Sequence, residues 1–211
     1  SFSDNPRHQN KSQGGQAMHL WDGEKLFRAF SSTRSQPWTI AYESWGQGRA
    51  DAGPMKVEGT LPKGLKGVFY RNGPARHELG GARYSHRWDG DGMVQAFRFD
   101  GESVHHTGRF VQTRKHVSES AAGKFLVSAF GSRLPGSPTA NEDLDSMNAA
   151  NISVCCHAGK LLALWEAGSA YQLDPDSLAT RGPLNGPDEK PLRPFSAHPR
   201  IDPDGVMWNF G

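Results

Sequence analysis

Only two cysteines occur in the 211 residues, and they are neighbours, Cys155 and Cys156. Adjacent Cα atoms sit ~3.8 Å apart, short of the ~4.4–6.8 Å that a disulfide spans. The pair therefore reads as free thiols of a reducing interior, one facing each side of a strand. No CxxC is present, so the chain has no thiolate framework for a metal or a redox couple. A dominant charge is also missing: 24 Lys and Arg stand against 22 Asp and Glu, a formal net charge of +2. The basic residues are scattered rather than striped, which argues against nucleic acid as a partner and gives an anionic bilayer no net charge to attract. No apolar run approaches the ~18–20 residues that cross a membrane, and the N-terminus, Ser1-Phe2-Ser3-Asp4-Asn5-Pro6-Arg7-His8, has no apolar signal core. There is no GxGxxG and no Walker loop. Gly131-Ser132-Arg133 and Gly168-Ser169-Ala170 lack the flanking pattern of a GxSxG nucleophile elbow.

What is abundant is punctuation: 25 glycines and 14 prolines favour many short elements joined by turns, while six Trp and eleven Phe supply a core. Residues 1–18 form a polar tail. Residues 19–54 read as an irregular N-terminal strap whose apolar pairs (Leu20-Trp21, Leu26-Phe27, Ala29-Phe30) pack on a larger body. From Met55 the pattern becomes β. Met55-Lys56-Val57-Glu58-Gly59 alternates, Gly67-Val68-Phe69-Tyr70-Arg71 resumes, and Val94-Gln95-Ala96-Phe97-Arg98-Phe99 is a period-2 strand closed by the hairpin signal Asp100-Gly101. Residues 104–113 return. Residues 118–147 are an excursion with some helix. Strands follow at 150–154 and 161–165 about the turn His157-Ala158-Gly159-Lys160. Aspartate-rich turns recur at Asp174-Pro175-Asp176-Ser177 and Asp202-Pro203-Asp204-Gly205. Hairpins repeated with similar turns predict an all-β chain of small antiparallel sheets, a habit of propellers shared with sandwiches. The chain stops at Gly211 inside a strand–turn unit, so 55–211 is expected to be the front part of a longer protein.

Most histidines read as bland. His77, His116 and His157 lie in turn-like or polar contexts and are expected in solvent. His105 and His106 are strand neighbours that point to opposite faces and cannot chelate one ion. His86 precedes Trp88-Asp89-Gly90-Asp91-Gly92, a stretch in which the aspartates satisfy turn amides; Arg71 is paired with Asp89 or Asp91. A calcium loop is excluded there, because Met93 holds the fifth position and Asp100 the twelfth.

Three blocks in order resemble the carotenoid cleavage oxygenase family, the carotenoid, apocarotenoid and stilbenoid cleaving dioxygenases. They are Gly67-Val68-Phe69-Tyr70-Arg71-Asn72-Gly73-Pro74; His86-Arg87-Trp88-Asp89-Gly90-Asp91-Gly92-Met93-Val94 with Phe97-Arg98-Phe99; and Asn148-Ala149-Ala150-Asn151 through Leu164-Trp165-Glu166-Ala167-Gly168 to Phe195-Ser196-Ala197-His198-Pro199-Arg200. The resemblance implies a seven-bladed β-propeller, of which 55–211 supplies the first blades. It implies an Fe(II) ion held by four histidines, O2 as co-substrate, and cleavage of a C=C bond in an apolar polyene or stilbenoid to two carbonyl products. His198 matches the first iron-binding histidine. Imidazole suits iron, and Pro199 restricts His198 toward extended conformations at the start of a strand. Glu166 matches a carboxylate that accepts the free N–H of a metal-bound imidazole. The resemblance puts the histidine partner of Glu166, and the other three iron ligands, further along the chain.

The remaining blades are expected in cis, or in trans from a second chain. Residues 1–211 alone are expected to be inactive and metal-free. A cytoplasmic location is expected, with peripheral contact to a membrane through the apolar strap residues or the Phe125–Phe130 region, both of which serve equally well as core. A non-catalytic β-propeller binding or interaction module is the alternative from another class, because fold alone does not fix function.

Overall fold

The computed structural model describes residues 37–134, 137 and 144–210; the polar tail and the apolar pairs of the strap lie outside the described residues. The first sheet takes β1 (Arg49–Ala52), β2 (Lys66–Arg76), β5 (Asp91–Asp100) and β6 (Val104–Phe110) in the order β1-β6-β5-β2, all antiparallel. Between β2 and β5 lies a small hairpin of β3 (Glu78–Leu79) and β4 (Ala82–Arg83). The helix α1 (Arg114–Ala122) follows β6. Its start is capped by the Thr113 hydroxyl, which accepts from the His116 amide at 3.1 Å, and its end by Gly123 in the left-handed region. The second sheet takes β7 (Ser153–His157), β8 (Lys160–Leu164), β9 (Tyr171–Leu173) and β10 (Thr180–Pro183) in the order β10-β9-β8-β7. A further hairpin, β11 (Arg200–Ile201) with β12 (Met207–Trp208), begins the next unit. No helix among the described residues is long and apolar enough to cross a membrane.

The period-2 pattern decides how the sheets stack. In β8, Leu161 and Ala163 pack with Val94 and Ala96 of the first sheet and with Val111, just past the end of β6. The alternate residues Leu162 and Leu164 pack on the other face with Ala170, Phe195, Ala197 and Met207. A short sheet covered on both faces by neighbours is a propeller blade, and β2 and β7, each at one edge of its sheet, touch. The turns repeat one device. Asp100 Oδ1 accepts the amides of Glu102 and Ser103 at 2.9 and 2.7 Å, Asp174 Oδ1 those of Asp176 and Ser177 at 3.1 and 2.9 Å, and Asp202 Oδ1 those of Asp204 and Val206 at 3.1 and 2.8 Å.

The motif blocks are the joints between the sheets. Asn72 Nδ2 donates to the Ala150 and Ser153 carbonyls at 2.8 and 2.9 Å, and Asn151 Nδ2 to those of Trp88 and Gly90 at 2.7 and 2.6 Å. The Gly92 amide donates to the Ala149 carbonyl at 2.8 Å.

Several expectations change. Residues 55–59 are not a strand; the outer strand of the first sheet is β1, drawn from the segment read as strap. Its ladder on β6 runs from Arg49↔Arg109 to Ala52↔His106. Pro54 then brings no N–H, and the Met55 amide takes the Val104 carbonyl at the very start of β6. The strand read at 150–154 begins at Ser153, because Ala150 has a φ of 44° and breaks the extended run. Arg71 is exposed. The arginine that meets Asp91 is Arg76, with Nε and Nη2 each 2.6 Å from Oδ2. His77 and His116 are buried rather than solvated. Burial, with help from Arg83, pushes His77 down to about 4. His116 stacks on Phe110 at 5.1 Å and faces Asp91 at 3.5 Å.

Candidate functional site

His198 sits two residues before β11, in a segment fastened at each step. The Phe195 amide donates to the Gly168 carbonyl at 2.9 Å. The Ser196 amide and carbonyl are both held at 3.0 Å by the Asn209 carboxamide. The Ala197 carbonyl accepts from the Ser153 hydroxyl of β7, and the Ala197 amide donates to Glu166 Oε2 at 3.4 Å. The backbone that carries the imidazole is therefore tied to the second sheet on one side and to the β12 end on the other. Pro199 removes the next amide donor.

Glu166 follows β8 and Trp165. Its Oε1 lies 2.9 Å from His198 Nε2, with side chains 50% and 68% exposed respectively. The two stand in a cleft of about 810 Å3 whose walls include Trp88, Phe130, Met147, Ile152 and Trp165. That volume is within the ~300–1,000 Å3 range of small-molecule sites, and its walls are suited to an apolar ligand.

One wall is built from the 125–134 loop, which a buried charge network holds. Lys115 Nζ is 2.7 Å from Asp91 Oδ1 and 3.1 Å from Glu119 Oε2, and all three side chains are essentially out of solvent. Glu119 Oε1 accepts the amides of Leu126 and Val127 at 3.0 and 3.3 Å. Burial alone would raise the Asp91 carboxyl; Lys115, His116 and Arg76 outweigh it and hold the group well below the usual carboxylate range. Asp89 Oδ1 accepts the Gly131 amide at 2.8 Å. Phe125 packs under the loop against Tyr84, whereas Phe130 is 74% exposed at the cleft.

The structure thus brings together the two site residues named from the sequence, His198 and Glu166. Glu166 meets His198 itself, whereas the resemblance puts its partner further along. Among the described residues no group of three or more His, Cys, Asp or Glu side chains is arranged to hold a metal ion. The donor chemistry suits iron, one imidazole backed by a carboxylate, but it amounts to one donor and not a closed shell. Sequence reasoning missed the cleft walls. Their only signal was an aromatic residue in a Gly- and Ser-rich loop, at Phe130, and an indole beside the acid, at Trp165. Cys155 and Cys156 do not line the cleft, and burial pushes the Cys155 thiol up to about 11.

The model of the family described as retinal pigment epithelial membrane protein matches residues 45–211. The chain is 42% identical over 173 residues to apocarotenoid-15,15'-oxygenase of Synechocystis sp., covering 80% of this chain and 35% of that protein. It is 35% identical over 163 residues to isoeugenol monooxygenase of Pseudomonas nitroreducens, covering 77% of this chain and 34% of that protein. The solved structure of cobalt-substituted Synechocystis apocarotenoid oxygenase superposes with a TM-score of 0.69 at 40% identity, over 80% of this chain and 36% of that one. The chain thus spans about a third of the length of these relatives.

Proposed function

Since this chain belongs to the retinal pigment epithelial membrane protein family, that of the carotenoid cleavage oxygenases, we propose that it forms the His198-bearing part of an Fe(II) dioxygenase. The enzyme cleaves a C=C bond of an apolar polyene or stilbenoid. One alkene and one O2 give two carbonyl products, so both oxygen atoms are accounted for and no external reductant is required. The observation that carries this reading is the His198–Glu166 pair at 2.9 Å, standing in an apolar cleft lined by Trp88, Phe130 and Trp165.

His198 supplies one neutral imidazole toward the metal, with further histidines coming from blades in cis or in trans. Glu166 accepts a ring N–H and fixes the tautomer and orientation of the imidazole that it meets. The aromatic walls take the apolar chain, exclude water and hold the double bond beside the metal position. The ferrous ion, when bound, supplies the electron density that lets O2 react with an alkene. Among the described residues His198 is the one such donor at the cleft, and residues 1–211 alone are inactive on this account.

The test is product analysis of the full-length gene product under 18O2 with carotenoid, apocarotenoid and stilbene substrates. Two carbonyl products, each carrying one labelled oxygen, are expected from at least one substrate class. An iron-loaded full-length protein that cleaves none of them contradicts the proposal and favours the binding module.

A further inference from the structure

We propose that Arg133 is a specificity-determining residue that receives the carboxylate end of an apolar polyene lying in the His198–Glu166 cleft; this rests on the reading of that cleft as the substrate site. Arg133 is the one Lys or Arg among the described residues that line the cleft. Its guanidinium has no hydrogen-bond or ion-pair partner among the described residues, and the cleft's own carboxylate, Glu166, is engaged with His198. The same cleft is lined by the apolar side chains of Ala129, Phe130, Leu144 and Met147.

The root of the side chain is held in place. The buried Ser132 hydroxyl accepts the Ser85 amide at 2.8 Å and lies 3.0 Å from the Ser85 hydroxyl. The Leu134 amide donates to the Ser128 hydroxyl at 2.9 Å, and the Gly131 amide to Asp89. Backbone on both sides of Arg133 is thus fixed by side chains, and the guanidinium is presented to the cleft from a rigid base. An apolar chain that fills the cleft takes water away from this cation. Without an acceptor on the ligand that desolvation is uncompensated. A carboxylate meets the guanidinium fork with two parallel N–H···O bonds, an aldehyde oxygen meets it with weaker ones, and a hydrocarbon end with none.

The experiment compares three polyenes of equal chain length, ending in a carboxylate, an aldehyde and a hydrocarbon. Each is titrated against the full-length gene product by quenching of tryptophan emission, Trp88 and Trp165 being in the cleft wall. In the wild type the acid binds tightest. Arg133→Met weakens the acid by about 10- to 100-fold, weakens the aldehyde less, and leaves the hydrocarbon within about twofold; Arg133→Lys recovers part of the loss. An acid that binds no tighter than the hydrocarbon, or a variant that weakens all three equally, overturns the role of Arg133. A wild type quenched by none of the three sinks the substrate-cleft reading as well, which separates the two failures.

Discussion

Replacing Asp91 by Asn tests whether the buried charge network is a structural anchor. Asp91 is fully buried and joined by Lys115 at 2.7 Å and by two nitrogens of Arg76 at 2.6 Å. In the native cluster two cations face two carboxylates, Asp91 and Glu119. Asp91→Asn leaves Lys115 and Arg76 sharing Glu119 alone, at 3.1 and 3.8 Å, with a net buried charge. Stranding one charge of a buried pair costs about 3–5 kcal/mol. Chemical denaturation of the full-length gene product should show a loss of that size. The double variant Asp91→Asn with Lys115→Met restores neutrality, so it should cost less than the two single changes added together, by about 1–3 kcal/mol of coupling. The pH dependence has a defined sign. The native carboxyl is depressed below its unfolded value of about 3.9, so its stabilisation is fully present above that pH and is lost as acid takes the pH down through the native value. The variant should lose that part of the acid limb. A single variant within about 1 kcal/mol of wild type, or strictly additive singles, would refute the anchor. Amide exchange at Leu126 and Val127, which Glu119 holds, should quicken in the single variant.

His77 is buried with no partner for Nδ1, and its titration is depressed to about 4. Since the unfolded chain binds that proton from about pH 6.5, stability should fall as the pH drops from about 6.5 to 4 and level off below. His77→Gln should flatten this window in urea unfolding, and an unchanged slope would contradict the burial argument. A methyl at Gly92 would overlap the Ala150 carbonyl, whose carbon lies 2.7 Å from the Cβ position. Gly92→Ala should therefore force the two sheets apart and destabilise by about 1–3 kcal/mol; wild-type stability would show that the joint is slack.

Patterns local in sequence were legible. Val94 and Ala96 are fully buried where alternation puts the core face, and the three aspartate turns fold as read. His198 does stand just ahead of a strand, with Pro199 after it. What failed depended on distant partners. Met55 and Val57 alternate like a strand, yet strand β6 is already paired with residues 49–52. His77 and His116 look like solvent residues because the groups that enclose them, Tyr42 and Asp91, are tens of residues away. The cleft draws Trp88, Phe130 and Trp165 from three stretches, and no single stretch announces a wall. Arg76 and not Arg71 meets Asp91 because the register sets Arg71 opposite Gln95, while the bulge after Pro74 brings Arg76, in place of Ala75, opposite Asp91.

On the proposed function His198 helps to hold a catalytic iron. The direct measurement is the iron content of the anaerobically purified full-length gene product beside its His198→Ala variant, with Glu166→Gln as a companion. About one iron per chain in the wild type, lost on His198→Ala and weakened 10- to 100-fold in affinity by Glu166→Gln, is the predicted result. Iron retained at full stoichiometry in a folded His198→Ala protein would contradict it.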